Sequence, residues 1–586
     1  MAKPWTIRPP APEAEPLARA LGIPPLVAMV LATRGLADPD AARAFLAPDL
    51  SQLHPPEAEP ALLVAAERLA TAARDGEPIV IYGDYDADGI TASAILWHAL
   101  RLADANVRVY IPHRLEEGYG LNREAVERLA AEGARLLVTV DCGITSAAEV
   151  AVARGLGLET IITDHHEPDP DRVPEALVVV DPKLPGSVYP FRELSGAGLA
   201  LKLAWALGQR LSRRDRVSDA FREFLIAATG LAALGTIADV VPLVGENHVL
   251  ASFGLGALAA SRYPGIRALL EVAGLGEKRL DAGHVGFMLA PRLNAAGRMG
   301  SAAEAVELLT TAGPEAALAI AQGLDRLNRQ RQETEKAILD QAEVLIAETH
   351  KPDRDAAIVL AAEGWHAGVI GIVASRLVEK YWRPTILLAL DGPDAQGSGR
   401  SIPPFNLFEG IAACEKHLRT FGGHAMAAGL RLAAADVPAF REAFLAHAAE
   451  RLGPEELTPR LTVDAEATLT DFDLATAQML ERLGPFGFGN PRPLFAAKHV
   501  RLVGAAKRLG RRGQHLQMHL AQAGRARRAV GWNLGDLAEA LTRAGSCGAA
   551  FTCRVSDYRA TPEVELHLKD VWVGSYGDAR AAQEYA

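Results

Sequence analysis

PIVIYGDYDADGITASAIL, Pro78 to Leu96, is the stretch whose reading decides the fold. Ile79, Val80 and Ile81 form an uninterrupted apolar run, the composition of a strand buried on both faces. Three carboxylates follow within five residues, Asp84, Asp86 and Asp88. Gly89 comes next, and Ile90 to Leu100 reads as a helix of small and apolar residues. Strand, acidic turn and helix in that order predict an open α/β sheet. They place three carboxylates at the carboxyl end of a strand, where such sheets keep their sites. Carboxylates crowded in this way repel one another unless something neutralises them. A single acidic turn is a weak signal, since solvent alone can screen it. Hard divalent cations, which take oxygen ligands, are the alternative.

The device recurs down the chain. LLVTVDCGITS, Leu136 to Ser146, ends a second apolar strand at Asp141. LETIITDHHEPDP, Leu158 to Pro170, ends a third at Asp164, His165 and His166. Imidazole with carboxylate suits Mn²⁺ or Zn²⁺, while carboxylates alone also suit Mg²⁺. ALGTIADVVPL, Ala233 to Leu243, adds Asp239 in so apolar a setting that a lone charge would be costly unless paired or ligated. Asp86, Asp88, Asp141, His165 and Asp239 are enough ligands for two divalent cations. Paired cations about 3.5–4 Å apart are a standard means of attacking a phosphodiester with water.

The chain has 586 residues, too many for one core, and is 49% hydrophobic and 23% charged, as soluble globular proteins are. Its start, MAKPWTIRPPAPEAEP, lacks an apolar signal region, and Leu225 to Val244 carries Gly230, Gly235, Asp239 and Pro242. A buried helix is expected there rather than a membrane span. Cys142, Cys414, Cys547 and Cys553 form no close metal-type pair, which fits a reduced, cytoplasmic compartment. Five segments are expected. Residues 1–55 are helical, 56–315 form a doubly wound parallel-sheet domain, and 316–351 form a long connecting helix. A smaller α/β domain follows at 352–453, and short strands over 460–586 predict an OB-type β-barrel.

GDYDADG at 83–89, VDCG at 140–143, DHH at 164–166 and GTIADVVPL at 235–243 together resemble the four motifs of the DHH phosphoesterase superfamily. GWHAGVIGIVASRL at 364–377, GSGRS at 397–401 and GGHAMAAG at 422–429 resemble its DHHA1 substrate domain. LGPFGFGNPRPLF at 483–495 is similar to the entry into the C-terminal module of the branch that degrades single-stranded DNA from the 5′ end. The resemblance implies two divalent cations, Mn²⁺ or Mg²⁺, on Asp86, Asp88, Asp141, His165 and Asp239, with Asp141 bridging and Asp84 in or just behind the ligand set. Asp141, Asp164, His165 and His166 would form the catalytic group, with Asp164 and His166 orienting ligands or touching the scissile phosphate. Tyr82 stands where many relatives carry His.

Arginine is the natural phosphate clamp, because its fork donates parallel hydrogen bonds. PRLNAAGRMG, Pro291 to Gly300, offers Arg292 and Arg298 around Asn294. IPHRLEEGYGLN, Ile111 to Asn122, offers Arg114 and Tyr119 beside the first domain, with Tyr119 able to stack on a base, and Asn294 is a further candidate DNA contact. By the same resemblance, Arg298, Ser398 and Arg400 grip the 5′-phosphate, and Gly423 and His424 meet the end nucleotide. The net charge of −11 argues against non-specific nucleic-acid binding by the whole chain. Yet Arg482 to Gly535 contains no Asp or Glu, and KRLGRR and RARR lie within it among Phe486, Phe488, Phe495 and Trp532. A basic barrel with aromatics predicts a single-strand track.

The resemblance therefore implies a 5′→3′ exonuclease that turns single-stranded DNA into 5′-mononucleotides in repair and recombination. A helicase and a single-strand-binding protein are the expected partners, the chain being a monomer without a membrane role. A small-nucleotide or oligoribonucleotide phosphodiesterase needs no basic barrel, and neither does a pyrophosphatase. A non-catalytic replication scaffold would not need the acid and imidazole set.

Overall fold

The structure, a computed structural model, describes residues 3–114, 116–212, 216–351, 354–556 and 561–574. The expected start of the DHHA1 segment at 352 and the last residues of the expected C-terminal module, 575–586, lie outside these.

The Ile79–Gly83 strand is buried along its whole length and sits inside a five-stranded sheet. The order across the sheet is Val107–Tyr110, Ile79–Gly83, Leu136–Val140, Glu159–Thr163, Val178–Val180, and every pairing is parallel. In chain order this is 2-1-3-4-5, so the winding reverses between Ile79–Gly83 and Leu136–Val140. That reversal opens a crevice at the carboxyl ends of those two strands. The Ala87–Leu102 helix fills the space above the first strand, beginning three residues earlier than the apolar pattern suggests because Asp86 caps it. The apolar stretch near Asp239 is the helix Asp219–Ala238. It is the only described helix long and apolar enough to cross a membrane, and it packs against Ala87–Leu102, Gly196–Ser212 and Gly245–Ala259. One large core joins these helices to one face of the sheet.

Pro314–Thr349 is a single helix of 36 residues. Its first half packs on Pro264–Val272 and Ala290–Met299, and its second half on Ala367–Tyr381. The sheet beyond it runs Thr420–Gly423, Ala427–Ala433, Asp394–Arg400, Thr385–Asp391, Ile358–Glu363, with only the last pair parallel. Phe440 and Phe444 of the Val437–Arg451 helix fill the core on one face.

The C-terminal strands close on themselves. Phe495–Leu502, Ser546–Ser556, Glu563–Val573, Arg525–Gly531 and His515–Gln522 pair in that order. His515–Gln522 then returns to Phe495–Leu502 through Arg501–Ala521 and Leu502–Leu520. This is a five-stranded barrel of the OB type. The chain's beginning belongs to it spatially. Trp5–Ile7 pairs in parallel with Leu461–Val463, and Leu17, Val27 and Leu31 share a core with Phe495 and Phe551. Phe495 is therefore a core residue rather than part of a nucleic-acid track, lying 5.1 Å from the Phe472 ring.

Candidate metal centre and phosphate pocket

Each expected ligand stands where a strand or helix ends at the crevice. Asp86 caps the Ala87–Leu102 helix, its Oδ1 accepting from the Asp88 amide at 2.9 Å and the Gly89 amide at 3.1 Å. Asp88 is 1% exposed, and its two oxygens accept from the Gly196 and Ala197 amides at 2.6 and 2.9 Å. The N-terminus of the Gly196–Ser212 helix thus holds that carboxylate in place. Asp141 follows its strand with a φ of +64°, a left-handed conformation that Asp tolerates better than most residues. Asp239 ends the Asp219–Ala238 helix.

His165 gathers these acids around one nitrogen. Its Nε2 lies 3.0 Å from Asp141 Oδ1, 3.5 Å from Asp239 Oδ2 and 3.8 Å from Asp88 Oδ2. Among the described residues, three overlapping sets have ligand atoms within 4.8 Å of one another: Asp84, Asp86 and Asp141; Asp88, His165 and Asp239; Asp141, His165 and His166. Asp141 and His165 each belong to two sets. Two glycines make the crowding possible. A Cβ at Gly196 would lie 2.6 Å from Asp141 Cβ, and one at Gly235 would lie 2.4 Å from Asp88 Oδ1.

The electrostatics follow from burial without counter-charge. Burial first, then the neighbouring Asp88, Asp86 and Asp239 charges, hold the Asp141 carboxyl well above the usual carboxylate range. Burial with Asp88 does the same to Asp239, and burial with Asp86 does so to Asp84 and pushes Asp88 up to about 7. Asp84 Oδ1 is buried with no hydrogen-bond partner. His165 is pushed down to about 3 by burial and by His166, so its ring is neutral and can offer a lone pair. Burial opposes charge on His166 as well, but the hydrogen bond from its Nδ1 to Asp164 Oδ1 at 2.7 Å raises it to about 9. Asp164 is correspondingly held low despite its burial, and the Ile144 and His165 amides also donate to it at 2.9 and 2.8 Å. Acid oxygens, a neutral imidazole and an orphaned buried carboxylate oxygen fit a pair of divalent cations.

Facing this cluster is a pocket of opposite sign. Asn294 Oδ1 accepts from the Ala87 amide at 2.7 Å, so Asn294 braces the acidic turn with that oxygen. A Cβ at Gly297 would lie 2.6 Å from the Tyr85 carbonyl, which brings the Ala290–Met299 helix against the same turn. Arg298 donates to the Gly368 carbonyl at 3.1 Å, at the start of the Ala367–Tyr381 helix. Arg400 donates to Ser398 Oγ at 3.1 Å, and a Cβ at Gly371 would lie 2.7 Å from that oxygen. Arg114 lies over the Tyr85 ring at 4.7 Å. Burial, then Arg114 and Arg400, lower Arg298 to about 9. Three guanidiniums converge beside a helix N-terminus, the composition of an anion site. Arg292 is not one of them, because it pairs with Asp325 at 2.8 Å. The Tyr119 hydroxyl lies 3.0 Å from His166 Nδ1 while its residue stays 45% exposed. Gly423 and His424 lie on the hairpin whose second strand pairs with Asp394–Arg400, placing Ala427 opposite Arg400 and Gly429 opposite Ser398. Nothing in the sequence marks Tyr85, Gly196 and Gly371, and Gly235 stands out there only as a residue against a membrane span. Small residues inside an apolar helix announce close packing only once the partner is known.

On the barrel, the acid-free stretch is partly neutralised from outside itself. Arg492 pairs with Glu481 at 2.6 Å, Lys498 with Glu466 at 2.7 Å and Arg528 with Glu565 at 3.0 Å. Arg501, Lys507, Arg511, Arg512 and Arg525 stay exposed, as does Trp532, which meets the His515 ring edge-on at 4.7 Å.

Three family models match in the same order as these parts: the DHH family N-terminal domain over 78–229, the DHHA1 domain over 354–450 and the RecJ OB domain over 463–570. A single-stranded-DNA-specific exonuclease RecJ of Bacillus subtilis is 38% identical over 577 residues, covering 98% of this chain and 71% of that relative. The chain belongs to the RecJ family. The crystal structure of RecJ from Thermus thermophilus in complex with Mn²⁺ superposes with a TM-score of 0.83 at 33% identity, covering 97% of this chain and 79% of that one. The Mg²⁺ complex of the same RecJ has a TM-score of 0.77 at 31% identity, covering 97% of this chain and 78% of that one. Both RecJ structures thus share this fold across nearly the whole chain.

Proposed function

We propose that this RecJ-family chain is a two-cation exonuclease that degrades single-stranded DNA in the 5′→3′ direction and releases 5′-mononucleotides. One observation carries the reading: a crowded acid–imidazole cluster and a pocket of three arginines share the Asp84–Asp88 turn. Asp86, Asp88, Asp141, His165 and Asp239 would hold the cations, with Asp141 shared between the ligand groups and Asp84 beside them. When bound, the cations supply a hydroxide at neutral pH and Lewis-acid stabilisation of the phosphoryl oxygens.

The chain's own groups do the rest. Arg298, Arg400 and Ser398, with Arg114, grip a terminal 5′-phosphate, so the next phosphodiester falls on the acid cluster. His166, cationic through Asp164, donates to an oxygen of that phosphate and balances its growing charge. Tyr119 supports His166 and presents its exposed ring to the base. His424 and Gly423 border the end nucleotide, and Asn294 keeps the acidic turn in register. Breaking the bond to the 3′-oxygen leaves a new 5′-phosphate, ready for the same pocket. The OB barrel holds the strand behind the site. The enzyme works as a cytoplasmic monomer on strands presented by a helicase or a single-strand-binding protein.

Separate 5′ and 3′ labels on one oligonucleotide test this. Early release of the 5′ label as a mononucleotide is expected. Early release of the 3′ label, or faster cleavage of dinucleotides than of long strands, would overturn it.

A further inference from the structure

The Val240–Leu243 segment, which follows Asp239, is held from outside its own domain. The Leu243 amide donates to the Phe488 carbonyl at 2.8 Å. A Cβ at Gly487 would lie 2.7 Å from Leu243 Cδ1, and one at Gly489 would lie 2.8 Å from Pro242 Cβ. Gly489 also has a φ of +72°, so conformation and contact both demand glycine there. The turn is itself anchored. Asn490 is 2% exposed, and its Nδ2 donates to the Leu483 and Pro485 carbonyls at 2.8 and 3.0 Å. Its Oδ1 accepts from Arg34 Nη1 at 2.7 Å, while Arg34 Nη2 donates to the Pro491 carbonyl at 2.7 Å. Arg34 comes from the N-terminal helices that pack on the barrel.

Asp239 needs such a backing. Its carboxylate lies within 4.8 Å of ligand atoms of Asp88 and His165, with Oδ2 3.5 Å from His165 Nε2, so its place in the cluster depends on the chain that follows it. Val240 immediately after it has a φ of +63° and is 61% exposed. A β-branched residue in that conformation is strained and has no packing of its own to hold the segment.

We propose that the 487–490 turn, pinned by Arg34, is the positioning device for Asp239, so that the module holding the DNA also sets the cation affinity of the site. This rests on the metal-centre reading above. Gly489, Asn490 and Arg34 act through Asp239 and lie outside the ligand set.

The test is Mn²⁺ binding by titration calorimetry on the full chain, with Mn²⁺-dependence of activity alongside. Gly489→Ala should weaken one Mn²⁺ site by about tenfold or more, the range for residues that orient a ligand. Saturating Mn²⁺ should restore most of the turnover, and single-strand binding in EDTA should be unchanged. Gly504→Ala is the control, because Gly504 also has a positive φ, +75°, with nothing within 4 Å of its Cβ. It should leave Mn²⁺ affinity alone. If Gly489→Ala does not fold, Arg34→Met is read in the same way. Unchanged Mn²⁺ affinity in the folded variant, or an equal loss in Gly504→Ala, overturns the inference. A wild-type chain that binds no Mn²⁺ overturns the metal-centre reading itself.

Discussion

At the scale of single residues, Asp141 is the group on which the site turns, since it shares ligand distance with both Asp84–Asp86 and His165–His166. Its φ of +64° decides the right substitution. Asn tolerates the left-handed region, whereas Ala would add roughly 1–2 kcal/mol of strain. Asp141→Asn should keep its unfolding midpoint while nuclease activity falls by about a thousandfold or more, the loss of several kcal/mol of transition-state stabilisation. Circular dichroism melts and single-turnover rates check this together. The crowded acids also predict a pH effect. Asp88 titrates near 7 in the fold against about 3.9 unfolded, so without metal the fold holds a proton between those values that the unfolded chain has lost. That stability is full below about 4 and disappears as pH rises through about 7. In EDTA the melting temperature should fall between pH 5.5 and 8, and Mn²⁺ should abolish the fall. A flat profile in EDTA would show that the acids are not crowded.

At the scale of elements, the strand ends were legible because an apolar run stopping at Asp is a local pattern. Asp84, Asp86, Asp88, Asp141, Asp164 and the two histidines could be placed at one sheet edge from sequence alone. Their mutual distances could not, because those depend on Gly196 and Gly235 letting helices approach the carboxylates. The arginine pocket was legible as two glycine-bearing motifs, but they lie on the Ala290–Met299 helix and the Asp394–Arg400 strand, not in the glycine-rich loops the sequence suggests. Arg292 and Arg298 look alike in sequence, yet Asp325, more than thirty residues on, takes Arg292 into an ion pair. Arg298→Ala or Arg400→Ala should raise KM for 5′-phosphorylated strands by roughly 10–100-fold, one charged hydrogen bond being worth about 1.5–3 kcal/mol. Strands with a 5′-hydroxyl should be affected far less, and comparing the two substrates measures the difference. Away from the site, Lys202 and Glu246 form a buried pair at 2.5 Å, completed by the His54 amide and carbonyl and by the Tyr189 hydroxyl. Lys202→Met strips the partner from a buried carboxylate and should cost about 3–5 kcal/mol in urea unfolding.

At the scale of the whole molecule, the order of parts could be read along the sequence, but their interlocking could not. Nothing near Trp5 or Arg34 says that the first helices complete the C-terminal barrel, since the pairing of Trp5–Ile7 with Leu461–Val463 spans most of the chain. The acid-free run from Arg482 to Gly535 likewise promised more positive charge than the surface presents, because Glu466, Glu481 and Glu565 arrive from neighbouring strands and helices. The cations left exposed predict a log–log salt slope for single-strand binding of about −2 to −4, at about −0.7 per phosphate contacted. Fluorescence anisotropy across a salt series gives that slope, and a slope near zero would remove the barrel from the track. Nuclease activity, as proposed, depends on four separate segments converging to hold two cations. Anomalous diffraction from crystals soaked in Mn²⁺ tests this most directly. Two peaks are expected among Asp86, Asp88, Asp141, His165 and Asp239; no peak there, or manganese bound only elsewhere on the molecule, would contradict it.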